Sequence, residues 1–461
     1  MKKIVAFVLM VIMATTLFTA CGGAPSYNAN FNVPEGGYDG SEVEITFYHT
    51  MGLNLSTVLD EYIVEFNKIY PNIKVTATQE GGYDDVRKKI STELNVGGGP
   101  NLAYCYPDHV ALYNVTGAVI QLDNLINSTI PEIGLTQDQI NDFIPGYYNE
   151  GKQFGDNLMY CMPFSKSTEV LYYNKTFFDE HGLKTPSTWA DMKKLCQDIK
   201  AIDPDCIPLG YDSEANWFIT MCEQYGYPYT TAEGSKNFKF DCPENQAFVK
   251  EFREWHKQGL VTTQTIYGGY TSGLFIEQEG TNSYMSIGSS AGATHQRPLI
   301  DESTGEYPFE VGITTIPQVN PANPKVISQG PSVCIFGKEN PQEVIASWLF
   351  VKFLTTNVQF QAKFSIASGY VPVLKSVASD PVYAAFIANA DGGNFISALS
   401  AKACLAQVDA YFTSPAFNGS SVAREQVEKL MAHCLSEDSQ DPDSLIDAAF
   451  KAAIAECEYQ Q

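Results

Sequence analysis

Residues 42–78 contain the pattern that most restricts the fold. In residues 42–49, Val43, Ile45 and Phe47 alternate with polar residues, which predicts a strand with one buried face. Residues 56–70 then place apolar side chains on one helical face, Pro71 ends the helix, and residues 72–78 alternate again. Two strands joined by a helical crossover run parallel to each other. The folded part of the chain therefore begins with an open α/β sheet.

The same mixture of helices and strands continues over a chain of 461 residues. A helix predicted from residue 83 is followed by a strand at 101–106, and helices dominate from Asn340 onward. Further short strands are predicted at 284–290, 309–320 and 324–337. A chain of this length is too long for one hydrophobic core, so we expect two domains of similar size.

The N-terminus has the pattern of an export signal. Lys2 and Lys3 precede an apolar run at 4–13 that is too short to span a bilayer, and small residues lead to Cys21. We expect a lipoprotein signal peptide at 1–20, with Cys21 carrying the lipid (palmitate) after cleavage. A flexible tether rich in Gly, Asn, Pro and Ser follows at 21–41. An ordinary signal peptide with an incidental cysteine is the alternative.

Charge and cysteine content exclude several classes of protein. The formal net charge is −24, which argues against nucleic-acid partners and against adhesion to anionic lipid. Of the eleven cysteines, ten lie beyond the signal, and they form no C-x-x-C or His/Cys cluster. We therefore expect no metal site and no cofactor, and we expect mostly buried free thiols.

Binding is favoured over catalysis. The chain lacks the common nucleophile, zinc-protease, phosphate-loop and dinucleotide motifs, and its six histidines are isolated, so no catalytic residue is predicted. In open α/β sheets a ligand lies beyond the carboxyl ends of the strands. Aromatic or small polar residues follow predicted strands at Tyr48-His49, Tyr106-Pro107-Asp108, Ser289-Ser290 and Gly330-Pro331.

Several segments resemble a known family. Residues 44–52, 66–75, 81–126, 162–196 and 368–373 resemble the family 1 extracellular solute-binding proteins, the capture lipoproteins of bacterial ABC importers for sugars. The family includes maltose-binding and glycerol-3-phosphate-binding branches. The similarity covers nearly all of 42–461. Its most specific part is Tyr-Tyr-Asn-Lys at 172–175, followed by Pro-x-Thr-Trp at 186–189.

The resemblance implies a two-lobed α/β fold of the type II periplasmic-binding-protein class. Each lobe would be an open, mostly parallel sheet flanked by helices, with the ligand in the cleft between the lobes. Lobe 1 would comprise 42–168 plus 328–375, and lobe 2 would comprise 169–327 plus 376–461. Residues 165–170 and 326–332 would be crossing strands. Ser165, Ser167 and Thr168 precede an apolar stretch without a turn signal, which we interpret as a strand that faces ligand first and core second.

The resemblance also implies ligand contacts. It places Tyr83, Asp108, Ser167, Gly330 and Tyr370 at family contact positions. Ser289 and Ser290 match a serine pair or a stacking tryptophan, and the strand-end pattern adds Tyr48 and His49. Trp217 and Phe417 lie where aromatic residues often face the sugar, although plain core packing is the alternative for Trp217.

The expected function is capture of a mono- or oligosaccharide. The glycerol-phosphate branch has an arginine in the loop that corresponds to 414–421, whereas here Arg424 comes later, on a helix. Because this loop lacks the arginine, a glycerol-3-phosphate or phosphodiester carrier is the alternative and not the leading interpretation. A secreted glycan-degrading enzyme and a receptor for a membrane sensor kinase are alternatives from other classes.

We expect a monomer, lipid-anchored on the outer face of the cytoplasmic membrane, which delivers solute to permease subunits with a cytoplasmic ATPase. The sequence does not specify the sugar, its length or its anomer.

Overall fold

The computed structural model describes residues 29–277, 281–388 and 395–461. Cys21, the predicted signal peptide and the first part of the predicted tether lie outside the described residues. Within the described part of the chain, no helix combines the length and apolar character needed to cross a membrane.

Two β-sheets organise the described residues. The first has the strand order β2-β1-β3-β11-β4, and the second has the order β12-β10-β5-β8-β6-β7, with β9 paired to β5. The strands are β1 (Val43–His49), β2 (Ile73–Gln79), β3 (Leu102–Cys105), β4 (Met162–Pro163), β5 (Ser167–Asn174), β6 (Leu209–Tyr211), β7 (Val261–Thr263), β8 (Met285–Ser289), β9 (Val311–Thr314), β10 (Val326–Gln329), β11 (Ser332–Ile335) and β12 (Tyr411–Phe412).

Helices cover both sheets. The α-helices are α1 (Leu53–Ile69), α2 (Tyr83–Leu94), α3 (Pro107–Tyr113), α4 (Asp123–Ile126), α5 (Gln137–Asp142), α6 (Pro145–Glu150), α7 (Lys175–His181), α8 (Trp189–Ile202), α9 (Glu214–Tyr225), α10 (Pro243–Lys257), α11 (Gln264–Tyr267), α12 (Ser272–Ile276), α13 (Pro341–Thr356), α14 (Val358–Ser368), α15 (Pro381–Ala388), α16 (Phe395–Ala406), α17 (Ser420–Ser436) and α18 (Pro442–Gln460). Short 3₁₀ turns occupy Asn114–Thr116, Ser290–Gln296, Lys375–Ser379 and Val408–Ala410.

The predicted β1–α1–β2 unit is present, and its two strands pair in parallel. The expectation of mostly parallel sheets is corrected, however, because both sheets are mixed. Every antiparallel pair among the described strands includes β5 or β11, which are the strands that follow the two crossings. A strand that enters a sheet directly from the other lobe needs no helical crossover, so it can run opposite to its neighbours.

Each sheet has its own hydrophobic core. Phe47, Ile335 and Trp348 are fully buried around the first sheet. Leu171, Tyr211 and Phe252 are buried around the second. Nine of the ten described cysteines are buried as well, as expected for thiols that fill a core.

The chain crosses from the first sheet to the second through residues 164–166 and returns through residues 330–331. The two crossings touch, since Lys166 Nζ donates a hydrogen bond of 2.9 Å to the carbonyl oxygen of Gly330. Gly330 has a φ of +96°, and a Cβ atom there would lie 2.6 Å from the carbonyl oxygen of Ser165. Only glycine fits such an approach.

Candidate ligand-binding site

A cavity of about 290 Å³, here called the first cavity, lies where residues from both sheets meet. Tyr83 and Asp84 at the N-terminus of α2 and Tyr106 to His109 after β3 line one side. Residues 327–329 of β10, the loop at 413–416 and Arg424 of α17 line the other. The carboxyl end of β3 therefore delivers side chains to the cavity, as the strand-end rule predicts.

The first cavity has an aromatic wall. The rings of Tyr83 and Tyr106 lie 4.5 Å apart, and the hydroxyl oxygens of Tyr83 and Tyr370 are 3.5 Å apart. Tyr229 lines the opposite side. Burial raises the pKa of Tyr106, so its hydroxyl stays neutral at physiological pH. Flat rings with neutral hydroxyls suit a ligand that has both apolar faces and polar edges.

Two residues that line this cavity have side-chain oxygens without partners in the described part of the chain. The side-chain oxygens of Thr230 and Ser328 are buried and have no hydrogen-bond partner among the described residues. Asp108 and Asp84 add carboxylates to the lining. Burial lowers the pKa of His109 below its usual range, so its ring is neutral. Buried polar atoms normally have partners, and a bound ligand can supply the missing ones.

A second cavity, of about 500 Å³, extends over the carboxyl ends of β6 and β8. Glu169, Asp212, Ser289, Gln296 and Tyr270 are among its lining residues. It shares Gln329 and Arg424 with the first cavity. The two cavities are therefore compartments of one cleft.

A polar network separates the compartments. The Asn216 side-chain amide donates a hydrogen bond of 2.7 Å to Gln329, and the Gln329 amide donates one of 2.9 Å back to Asn216. Arg424 Nη2 also donates to Asn216 Oδ1. This network places the guanidinium between the two cavities, within reach of a ligand in either.

Two carboxylates of the second cavity ionise less readily than usual. Burial raises the pKa of Glu169 to about 7, although hydrogen bonds from Tyr211 and Asn216 and the charge of Arg424 offset part of the effect. Its Oε2 accepts a hydrogen bond of 2.6 Å from the Tyr211 hydroxyl. Burial likewise raises the pKa of Asp212, whose Oδ1 accepts hydrogen bonds of 2.5 and 2.7 Å from the amide and hydroxyl of Thr271.

Comparison with known proteins fits this two-lobed arrangement. The family model of the bacterial extracellular solute-binding protein matches residues 61–390, well over half of the chain. The chain belongs to this family. Family members are the solute-binding components of ABC importers.

Two solved structures and one curated relative are similar to this solute-binding protein. The sn-glycerol-3-phosphate-binding periplasmic protein UgpB of Escherichia coli K12 is 23% identical over 357 residues, which cover 72% of this chain and 74% of UgpB. The cyclic α-maltosyl-1,6-maltose binding protein of Arthrobacter globiformis is 18% identical with a TM-score of 0.70, covering 91% of this chain and 100% of that one. UgpB of Mycobacterium tuberculosis, in complex with glycerophosphocholine, is 17% identical with a TM-score of 0.71, covering 91% and 99%. The two-lobed α/β fold class is thereby confirmed.

The structure brings three of the predicted contact residues of the solute-binding protein to the cleft, and a fourth contacts one of them. Tyr83 and Asp108 line the first cavity, and Ser289 lines the second. Tyr370 lines neither cavity, but its hydroxyl lies 3.5 Å from that of Tyr83. Their role in binding remains a prediction.

Three predicted contacts lie in the crossings or beside them instead. Ser167 is buried and is paired with Gln329 in the β5–β10 register. Ser290 is also buried, and its hydroxyl accepts a hydrogen bond of 3.2 Å from the amide of Thr168. Gly330 contacts the first crossing through its backbone. These residues support the shape of the cleft from behind its lining.

The structure does not place Trp217 and Phe417 at the ligand cleft, which corrects the prediction that they contact the ligand. Trp217 is 0% exposed, with its ring 4.9 Å from Tyr211 and 4.2 Å from Phe252, so core packing is its role. Phe417 is buried against Phe238, with ring centroids 5.7 Å apart, while the preceding residues 413–416 line the first cavity.

Tyr48 and His49 are corrected as well. Lys89 Nζ lies 4.3 Å from the ring centre of Tyr48, on the side of β1 that packs against α2. His49 is buried, and its Nδ1 accepts a hydrogen bond of 3.1 Å from the amide of Met51. Neither residue lines either cavity. Their strand ends at the same edge as β3, but local partners occupy both side chains.

Sequence reasoning missed or set aside several lining residues. Tyr106 was part of a strand-end pattern, yet Asp108 was preferred to it. Arg424 was set aside because it follows the loop at 414–421. Since α17 begins at Ser420, Arg424 lies one helical turn from that loop and lines both cavities. No local signal indicated Glu169 and Asp212, which face the cleft only because the second sheet brings β5 and β6 to the same edge.

Proposed function

We propose that this solute-binding protein captures a mono- or oligosaccharide in the interlobe cleft and delivers it to the permease of an ABC importer. The first cavity carries this proposal. It combines the faces of Tyr83 and Tyr106, the carboxylate of Asp108, and the unpartnered oxygens of Thr230 and Ser328. Sugar C–H faces pack on aromatic rings, and sugar hydroxyls donate to carboxylates and exchange hydrogen bonds with hydroxyl groups.

Binding is proposed to close the two lobes. In this proposal residues 42–168 plus 328–375 move against residues 169–327 plus 376–461. Residues 164–166 and 330–331 connect the sheets and would act as hinges. The first cavity supports this, because its lining comes from both sheets, so a ligand there contacts both lobes.

Isothermal titration against a panel of mono- and oligosaccharides tests the proposal. Asp108→Asn and Tyr106→Ala should each weaken binding of the best sugar by about tenfold or more, since each removes a direct contact. Asp138→Asn is a matched control, because Asp138 is exposed on α5 and lines neither cavity. No binding heat with any saccharide would refute the proposal.

A glycerophosphodiester is the second candidate ligand, and Arg424 is the observation that favours it. The guanidinium lies in the cleft and can pair with a phosphate. UgpB of Escherichia coli is named for sn-glycerol 3-phosphate, and UgpB of Mycobacterium tuberculosis was solved with glycerophosphocholine. Titration with both compounds separates the candidates. Arg424→Gln should abolish phosphodiester binding, whereas Asp108→Asn should strengthen it by removing a like charge.

We further propose that Cys21 is lipidated and holds the protein on the outer face of the cytoplasmic membrane as a monomer. The sequence pattern at 1–21 supports this anchor. Labelled palmitate should be incorporated into the wild-type protein but not into Cys21→Ala, which should appear in the culture medium. Light scattering of the chain from residue 29 onward tests the monomer.

A further inference from the structure

The second cavity presents hydrogen-bond acceptors from three side chains. Glu169 and Asp212 carry carboxylates and Gln296 carries an amide oxygen, and all three residues line the cavity. Gln296 is 2% exposed, and its Oε1 has no hydrogen-bond partner within the part of the chain that the structure describes. Its Nε2 lies 3.5 Å from Asp212 Oδ2, which orients the amide within the cavity. An amide oxygen only accepts, so the missing partner must be a donor.

The two carboxylates lack a dedicated cation. No lysine or arginine forms an ion pair with Glu169 or Asp212 among the described residues. Their hydrogen-bond donors, Tyr211 and Thr271, are neutral groups. Glu150 differs, because it is buried to a similar degree but pairs with Lys166. A buried carboxylate without a cation is costly unless something that binds supplies the charge.

Arg424 does not fill this role. It lines the cavity, but its Nη2 donates to Asn216 Oδ1, at the boundary with the first cavity. One guanidinium also cannot neutralise two carboxylates. When both carboxylates are ionised, the second cavity therefore has more negative charges and hydrogen-bond acceptors than its cations and donors can satisfy. The exposed ring of Tyr270 also lines this cavity. Carboxylates and an aromatic face together favour an organic cation.

We propose that the second cavity receives a cationic nitrogen of the ligand, so that the solute is an amino sugar or a saccharide that contains one. This inference rests on the proposed saccharide-binding function. The protonated amine would donate to Glu169, Asp212 and the free amide oxygen of Gln296. The rest of the saccharide would extend past Arg424 into the first cavity, which shares Gln329 and Arg424 with the second.

Matched sugar pairs test the inference on the wild-type protein. Isothermal titration compares glucosamine with glucose, galactosamine with galactose, mannosamine with mannose, and a chitosan trimer with cellotriose. At least one amine should bind about tenfold or more tightly than its parent, the range expected for a charge-assisted hydrogen bond. Glu169→Gln should remove the preference for the amine over its parent sugar. Asp138→Asn, the exposed control, should keep the preference.

The outcomes separate this inference from the proposed function. Equal affinity for amine and parent overturns the cationic assignment and leaves saccharide capture in place. Binding of glycerophosphocholine without binding of any saccharide refutes both. A preference that persists unchanged in Glu169→Gln and in Asp212→Asn also overturns the assignment, because the nitrogen would then bind elsewhere. The comparison on the wild-type protein stands even if a variant folds poorly.

The pH dependence gives an independent test. The groups that face Glu169 are Tyr211, Asn216, Asp212 and Arg424, and His295 also lines the cavity. Because the pKa of Glu169 is about 7, affinity for the protonated form of the amine should fall about tenfold between pH 8 and pH 6. Protonation of the amine itself acts in the opposite direction. Glu169→Gln should abolish the fall, and a fall that persists in this variant would overturn the role of Glu169.

Discussion

The crossings between the two sheets contain a buried ion pair whose removal should have a large and pH-dependent effect on stability. Lys166 is 0% exposed, and its Nζ donates to Glu150, to the carbonyl oxygen of Gly330 at 2.9 Å and to the Ser332 hydroxyl at 3.0 Å. The substitution Lys166→Met keeps an unbranched side chain, one atom shorter, and removes all three bonds. It leaves Glu150 as a buried carboxylate and Gly330 with an unsatisfied carbonyl.

The expected loss is about 3–5 kcal/mol of unfolding free energy at pH 8, the usual cost of removing one partner of a buried pair. Burial already raises the pKa of Glu150, and the loss of Lys166 should raise it further. A raised folded pKa means that stability is greatest below the unfolded pKa and falls as the pH rises through the folded value. The deficit of the variant should therefore be smaller at pH 5 than at pH 8.

Urea denaturation at the two pH values measures the effect. The double variant Lys166→Met/Glu150→Gln should recover part of the loss, since it removes the uncompensated charge. Lys194→Met is the control, because the Lys194–Asp198 pair has side chains that are 74% and 47% exposed, and it should change stability by less than about 1 kcal/mol. A loss below about 1 kcal/mol at pH 8, or no recovery in the double variant, would refute the reasoning.

Three other substitutions have defined outcomes. Gly330→Ala should lower the free energy of unfolding by more than about 2 kcal/mol in urea denaturation, because the φ of Gly330 is +96° and the new Cβ would lie 2.6 Å from the Ser165 carbonyl oxygen. The control Gly182→Ala should cost about 1 kcal/mol, because Gly182 has a φ of +64° but no atom within 4 Å of the new Cβ. Glu169→Gln should raise stability by up to about 3 kcal/mol at pH 8 and have no effect at pH 4. The folded pKa of about 7 exceeds the ordinary value of 4.5 for a glutamate, so the carboxyl opposes folding only as the pH rises above 4.5, and an equal effect at both pH values would contradict this. Trp217→Phe should lower the melting temperature but keep ligand affinity within about twofold by titration, because Trp217 packs in the core. A larger loss of affinity would indicate that Trp217 contacts the ligand.

Local periodicity predicted the elements well because each depends mainly on neighbouring residues. The β1–α1–β2 unit and the long helices from Asn340 onward are present. The mixed direction of the sheets was not predictable in the same way. The orientation of β5 and β11 depends on where the chain crosses between the lobes, and that is a long-range property.

The site was predicted only where a side chain follows its strand directly. Tyr83 and Asp108 meet at the first cavity because α2 and α3 both begin at the edge where β3 ends. Strand-end position alone was insufficient for His49, whose ring accepts a local hydrogen bond. Arg424 illustrates the opposite error, since a residue on a helix can reach the cleft when the helix begins beside a lining loop.

The polar run in the first crossing has a different cause from the predicted one. Ser165 to Glu169 are all buried, so their polarity does not reflect exposure to the cleft along the whole run. The Ser165 hydroxyl lies 2.8 Å from that of Tyr104 in the first sheet, and the Thr168 hydroxyl donates a hydrogen bond of 2.8 Å to the carbonyl oxygen of Ile327 in the second crossing strand. Lys166 joins the two crossings in between. An apolar crossing could slide against its neighbours, whereas these directional bonds fix one register between the two strands. The polarity of this crossing therefore specifies how the two sheets are joined, and of this run only Glu169, at its end, lines the cleft.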